Sequence, residues 1–222
     1  MLKVAVFGAT GRVGRVLVTQ LKEDSTNFKT PLVLVRTSQQ KKYFEQSVGV
    51  DAGLIDLENS SVDDIAHAIA DCNAIVFTAG SGNKFFTVDL DGCVKVMEAA
   101  EKTGIRRFIL VSALKAEDRT FWESIPGLRE YYIAKRAADR DLRTRDLDYT
   151  IVQPGWLYDE KGTGLFTPVD KIDEQMEVDK SCQREDVASF IKECLTQPKN
   201  TIRKTIPLLN GTEAASTVIS LL

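Results

Sequence analysis

Leu2-Lys3-Val4-Ala5-Val6-Phe7-Gly8-Ala9-Thr10-Gly11-Arg12-Val13-Gly14 opens the chain. Val4 to Phe7 is an unbroken apolar run, as expected of a strand covered on both faces of a parallel sheet. Three glycines follow at the spacing GxxGxxG, and Val13, Val16, Leu17 and Leu21 then recur on one helical face. A strand that turns through glycines into a helix leaves the first N–H groups of that helix unpaired and aimed at the turn. Those groups and the helix dipole suit a phosphate. Gly8 allows the turn at the strand end, Gly11 lets backbone approach a pyrophosphate, and Gly14 permits close packing of helix on strand. The spacing differs from the GxGxxG of the common dehydrogenase fingerprint, but the physical roles are the same.

The rest of the chain repeats this alternation. Apolar runs are expected as strands at Leu32–Val35, Val50–Leu57, Ala74–Thr78, Arg107–Ser112, Tyr149–Val152 and Thr205–Leu209. Helices are expected at Ser38–Gln46, Ser60–Ala70, Val88–Lys102, Leu128–Thr144, Arg184–Leu195 and Thr212–Leu222. Strict β-α alternation implies an α/β fold of Rossmann type: a doubly wound, mostly parallel sheet with helices on both faces. The 222 residues suit one such domain over 1–222. Gly162 to Lys180 has little regular pattern, so the region from about 156 to 182 is the expected lid or small C-terminal substrate region.

Composition narrows the functions. The net charge is −3, with both signs mixed along the chain, which is no footprint of a nucleic-acid binder. Arg140 to Arg145 reads as a solvated face. The four cysteines (Cys72, Cys93, Cys182 and Cys194) form no CxxC pair and there is one histidine, His67, so no metal site is expected. Scattered thiols fit a reducing compartment, with Cys72 and Cys93 as small core residues. No apolar stretch has the length of a membrane span and the N-terminus lacks a leader pattern, so a cytoplasmic protein is expected. Its partner would be a small-molecule substrate, with the chain a monomer or homodimer.

The residue after the second strand selects the nucleotide. A carboxylate there would take the ribose 2′-OH of NAD(H), and an arginine accommodates a 2′-phosphate. Here the strand ends Val35-Arg36-Thr37-Ser38. Arg36 favours NADP(H), with NAD(H) the alternative and with Thr37, Ser38 and Arg12 as further donors. Asp56 and Leu57, after the third strand, are placed to meet adenine, although Asp56 is equally suited to cap the next helix. Ala79-Gly80 ends the fourth strand and adds to the expected cofactor site, as do Thr10 and Val13.

Tyr131 and Lys135 share one face of the long helix after the fifth strand. A nearby ammonium favours a phenolate, so Lys135 would lower the tyrosine pKa toward working range. Ser112, at the carboxyl end of the fifth strand, is placed to hydrogen-bond a substrate carbonyl. Tyr132 competes with Tyr131 for the role of proton donor.

Taken together, Gly8-Ala9-Thr10-Gly11-Arg12-Val13-Gly14, Val111-Ser112-Ala113, Tyr131-Tyr132-Ile133-Ala134-Lys135 and Asp148 to Gly155 resemble the atypical short-chain dehydrogenase/reductases, and most of all the NAD(P)H-binding NmrA-like and YlbE/YwnB-like bacterial group. The resemblance covers essentially the whole chain. It implies pyrophosphate contacts from Gly8, Gly11 and Gly14, and a 2′-phosphate contact from Arg36. It also implies a reductase triad of Ser112, Tyr131 and Lys135, with Lys135 on the nicotinamide ribose and Pro154, Gly155 and Trp156 beside the nicotinamide. The implied activity is NADP(H)-dependent hydride transfer to a small carbonyl, quinone, flavin or similar substrate. Some relatives bind cofactor without turnover and others are epimerases or dehydratases, so a cofactor-sensing regulator and an NAD-dependent epimerase are the alternatives. Tyr131 lies nineteen positions after Ser112, more than in short members, and the insert Lys115 to Pro126 is positioned to reshape the pocket. Trp156, Phe166, Phe85 and Phe86 are candidates for an apolar lining.

Overall fold

The computed structural model describes residues 1–222. In chain order the elements are β1 (Val4–Phe7), α1 (Arg12–Glu23), β2 (Leu32–Val35), α2 (Ser38–Tyr43), β3 (Asp51–Leu54), α3 (Val62–Ile69), β4 (Ala74–Phe77), α4 (Asp91–Thr103), β5 (Arg107–Val111), α5 (Arg119–Glu123) and α6 (Arg129–Thr144). They continue as β6 (Asp148–Pro154), β7 (Trp156–Tyr158), β8 (Leu165–Phe166), α7 (Ile172–Val178), β9 (Ser181–Gln183), α8 (Arg184–Thr196), α9 (Pro198–Thr201), β10 (Lys204–Leu208), β11 (Glu213–Ala214) and α10 (Ala215–Ser220).

Seven strands form the central sheet in the order β10-β6-β5-β4-β1-β2-β3. Every pairing in it is parallel, including the edge strand β10 on β6. The order reverses between β1 and β4, which is the switch point where doubly wound sheets bind ligands at their carboxyl ends. The alternation of side chains along β1 divides the core. Val4 and Val6 face one layer, with Leu17 and Leu21 of α1, Ile191 of α8 and Ile219 of α10. Ala5 and Phe7 face the other, with Ile65 and Ile69 of α3, Val96 and Met97 of α4, and Leu142 of α6. Helices therefore seal both faces, as the continuous apolar runs require.

The expected elements form, and the differences have local causes. β6 runs on through Pro154 because parallel pairing with β10 reaches Leu208↔Pro154, and proline lacks only a donor. The segment Gly162 to Lys180, expected to be irregular, contains β8 and α7; β8 pairs with β11 further along the chain, and β7 and β9, which flank the segment, pair with each other. The strands have two or three residues and α7 has seven, too few for a period to show. The arginines of α6 are not a plainly solvated face. Arg136, Arg140 and Arg143 converge on Glu117 of the insert, and the largely buried Arg145 pairs with Glu98, Glu101 and Asp141.

Candidate active site

Two cavities open at the carboxyl ends of the strands. The first, about 330 Å³, lies at the switch point. Gly8, Thr10 and Gly11 contribute from the segment after β1, Arg36 from that after β2, Asp56 and Leu57 from that after β3, and Ala79 and Gly80 from that after β4. Gly8 has φ +88°, and a Cβ there would lie 2.5 Å from the Ala79 nitrogen. At Gly14 a Cβ would lie 2.3 Å from the Gly8 oxygen. The fold itself demands these two glycines. Gly11 is different: a Cβ would meet only the Gly8 oxygen, at 3.2 Å, and the residue lines the cavity. Gly11 is also the N-cap of α1, has no side-chain cap, and no acidic residue follows in the first turn. The free N–H groups and the open face above Gly11 fit a pyrophosphate. Val13 buries its side chain in the core, which leaves its backbone as its only contribution.

Arg36 is exposed on the wall of this cavity and enters no ion pair. The other donors expected beside it are engaged elsewhere. Thr37 closes a capping box with Gln40 at the start of α2, and Arg12 pairs with Asp159. Asp56 accepts from the Glu58 nitrogen at 3.1 Å and from Asn59 Nδ2 at 2.7 Å. Asn59 first, then Glu58, Arg36 and Lys84, hold its carboxyl below the usual range against the opposing effect of burial. Asp56 thus anchors the turn before α3, and Ser61 caps that helix. Gln40, Asn83 and Lys84 also line the cavity and were not anticipated; Lys84 forms an ion pair with Glu58 across its rim.

The second cavity, about 240 Å³, lies against α6. Tyr131, Tyr132, Pro154 and Trp156 line it together with Phe121 of the insert and Leu128 just after it. The insert is ordered around Trp122, which is fully buried and donates from Nε1 to the Ala116 oxygen at 3.1 Å. Trp122 stacks on Tyr132, with ring centroids 5.9 Å apart. Tyr132 is thereby a packing residue, whereas Tyr131 stands edge-on to Phe85 and has the Lys135 ammonium 5.7 Å from its ring centre. Phe166 is instead buried against Phe190, and Phe86 lines neither cavity.

A buried polar layer lies beneath these cavities. Lys135 Nζ donates to the Val111 oxygen at 3.3 Å and sits 3.6 Å from Asp89 Oδ1. Asp89 accepts from the Ser81 nitrogen and hydroxyl at 3.0 and 2.8 Å. One turn beyond Lys135, Asp139 accepts from Gln153 Nε2 at 2.8 Å. Ser112 is buried and lines neither cavity. Its hydroxyl faces the Asp139 carboxyl without closing a well-formed hydrogen bond. Burial pushes the Asp139 carboxyl up to about 6, against the opposing pull of Ser112, Gln153, Arg143 and Lys135. Burial also works against the Lys135 ammonium, but Tyr131, Asp89, Cys93 and Asp139 outweigh it and hold the group charged. The expected lowering of the Tyr131 pKa does not occur. Burial raises it, Asp89 and Asp139 add to the rise, and Lys135 offsets only part. All four cysteines are buried, with thiols raised by burial, which fits core residues and not nucleophiles.

The glycine loop, the switch-point cavity and the sheet order agree with a family model described as NAD(P)H-binding, which matches residues 8–198. The chain belongs to this NAD(P)H-binding family. It is 59% identical over 216 residues to the UPF0659 protein YMR090W of Saccharomyces cerevisiae, covering 96% of this chain and 95% of that one. It is 38% identical to the uncharacterized sugar epimerase YhfK of Bacillus subtilis, covering 95% of each. Among solved structures, the oxidoreductase ylbE of Lactococcus lactis superposes with a TM-score of 0.87 at 35% identity, over 100% of this chain and 96% of that one. These relatives agree with the atypical short-chain dehydrogenase/reductase resemblance. No helix is long and apolar enough to cross a membrane.

Proposed function

We propose that the protein is an NADP(H)-dependent reductase of a small carbonyl or similarly conjugated acceptor with an apolar body. The observation that carries the chemistry is the place of Tyr131, on the wall of an apolar cavity beside the buried Lys135 ammonium. Gly11 and the free N–H groups of α1 would hold the pyrophosphate of NADPH and Arg36 its 2′-phosphate, and the bound cofactor would supply the hydride. Tyr131 donates the proton to the substrate oxygen. The phenol is protonated near neutral pH, as a donor must be, and because burial makes it a weaker acid the transfer depends on the Lys135 ammonium beside it. Lys135, fixed by Val111 and Asp89, stabilises the phenolate left after transfer. The aromatic and aliphatic walls exclude water from the reacting oxygen and strengthen these interactions.

The sugar epimerase named for the Bacillus relative is the second reading. A sugar needs several hydrogen-bonding partners, and this cavity is walled by Phe121, Leu128, Trp156 and Leu157. The lining favours an apolar substrate over a sugar.

The test is a side-by-side titration with NADPH and NADH, followed by a carbonyl and quinone turnover panel, on wild type, Arg36→Ala and Tyr131→Phe. NADPH should bind at least about tenfold more tightly than NADH, and Arg36→Ala should abolish that preference. Tyr131→Phe should retain NADPH binding and lose turnover. Preference for NADH, or undiminished turnover in Tyr131→Phe, sinks the reading. Tight binding selective for one redox state, with no turnover of any acceptor, would replace it with a sensing role.

A further inference from the structure

The second cavity has one feature that catalysis by Tyr131 does not use. Arg184, the first residue of α8, is the one charged residue on its lining. Its side chain is only 14% exposed. A guanidinium carries five N–H donors, yet Arg184 makes a single side-chain hydrogen bond, from Nη1 to Asp159 Oδ1 at 2.8 Å. Asp159 is not its own private partner, because Arg12 of the glycine loop takes the other carboxylate oxygen. Two guanidiniums share one carboxylate, and the remaining N–H donors of Arg184 have no protein partner.

The rest of the lining is largely aromatic, with Phe121 and Tyr131 both edge-on to Tyr132 at 83° and 84° between ring planes. Phe121, Tyr131, Tyr132 and Trp156 surround a space of about 240 Å³, suited to a one- or two-ring group. A planar guanidinium on the lining of such a space matches a carboxylate or sulfonate in both shape and charge.

We propose that this cavity binds a planar, ring-bearing substrate with an anionic substituent, and that Arg184 holds the anion and so sets the orientation of the reacting group toward Tyr131. The inference rests on reading this cavity as the substrate site. Ring stacking and the ion pair grip opposite ends of the molecule, which fixes both its depth and its rotation. A neutral ring of the same size keeps the first contact and loses the second. A phosphate of the cofactor is the competing source of the anion, since Arg12 and Arg184 share Asp159, and the NADPH arm of the experiment separates the two.

The experiment compares 2-naphthoate with 2-naphthamide, the same ring with and without charge, by calorimetry on wild type, Arg184→Met and Arg184→Lys. NADPH affinity is measured on the same three proteins. In wild type, naphthoate should bind about tenfold or more tightly than naphthamide. Arg184→Met should bring the two to parity, Arg184→Lys should keep part of the difference, and NADPH affinity should change by less than about threefold in both. The wild-type comparison and the lysine variant still decide the matter if the methionine variant fails to fold. Equal binding of the two probes to wild type, or binding of neither, overturns the proposal. So does a charge preference that survives in Arg184→Met, or a loss that falls on NADPH instead of naphthoate. These are binding measurements, so a protein that passes them but shows no Tyr131-dependent turnover would refute the reductase reading and leave this one standing.

Discussion

Lys135 Nζ lies 3.6 Å from Asp89 Oδ1, and both side chains are almost completely sealed from solvent. The pair joins α6 to the turn that leads into α4. It also closes the charge balance beneath Tyr131, since Asp89 Oδ1 has no hydrogen-bond partner and its other oxygen is occupied by Ser81.

Removing one charge leaves the other buried and unpaired, which in proteins costs on the order of 3–5 kcal/mol. Asp89→Leu and Lys135→Met should each lower stability by about that much. The double variant Asp89→Leu/Lys135→Met should recover most of the loss, because two apolar side chains replace the pair, while turnover stays absent. Urea denaturation of the four proteins of the cycle measures this. Additive losses in the double variant would mean that the two charges do not interact.

The unanticipated part of the site has a physical reason. β1, the glycine loop and α1 were legible because an apolar run, three glycines and an apolar helical stripe are local signals. The places of Arg36 and Tyr131 on the two cavities were legible because a strand end and a helical spacing are local features. Asp89 and Arg184 act through tertiary neighbours that no local pattern names. A signal for Asp89 did exist: it continues the stripe of Cys93, Val96, Met97 and Ala100, all buried, so it sits where a core residue belongs. Asp139 is the same case, next to Ala138 on the face that carries Leu142. Arg184 gives no such signal, since a polar residue at a helix start is ordinary. The expected effect of Lys135 on Tyr131 went astray because spacing shows the charge partner and hides the burial that outweighs it.

Asp139 leads to a pH prediction. Its carboxyl is raised from 3.8 to about 6, chiefly by burial, so the folded protein holds this proton more tightly than the unfolded chain does. The sign is therefore opposite to that of an ion-paired carboxylate. Stability from this group is full below about pH 4, falls as pH rises to about 6, and is constant above that. The shift corresponds to a loss of about 1–3 kcal/mol at pH 8. Asp139→Asn keeps an acceptor for Gln153 Nε2 and has no proton to lose. Denaturant midpoints should place it above wild type at pH 8, with the two converging near pH 4. A variant less stable than wild type at pH 8 would show that Lys135 and Arg143 favour the ionised form.

The glycine loop separates what the fold needs from what a ligand needs. A Cβ at position 14 meets the Gly8 oxygen at 2.3 Å and the Ala9 Cα at 2.9 Å, and both are backbone atoms that cannot swing aside. Gly14→Ala should therefore push α1 off β1 and cost about 1–3 kcal/mol, as overpacked contacts do. A Cβ at position 11 has one close neighbour, the Gly8 oxygen at 3.2 Å, and otherwise projects into the cavity. Position 11 has extended backbone, with φ −74°, which alanine adopts freely. Gly11→Ala should melt within a few degrees of wild type but bind NADPH about tenfold or more weakly, because the methyl occupies the approach to the free amides of α1. Thermal melts with and without NADPH measure both effects together: Gly14→Ala loses stability in either condition, and Gly11→Ala loses only the cofactor-induced rise. If Gly11→Ala keeps the full rise, the phosphates do not pass over this residue, and the loop serves only to turn the chain.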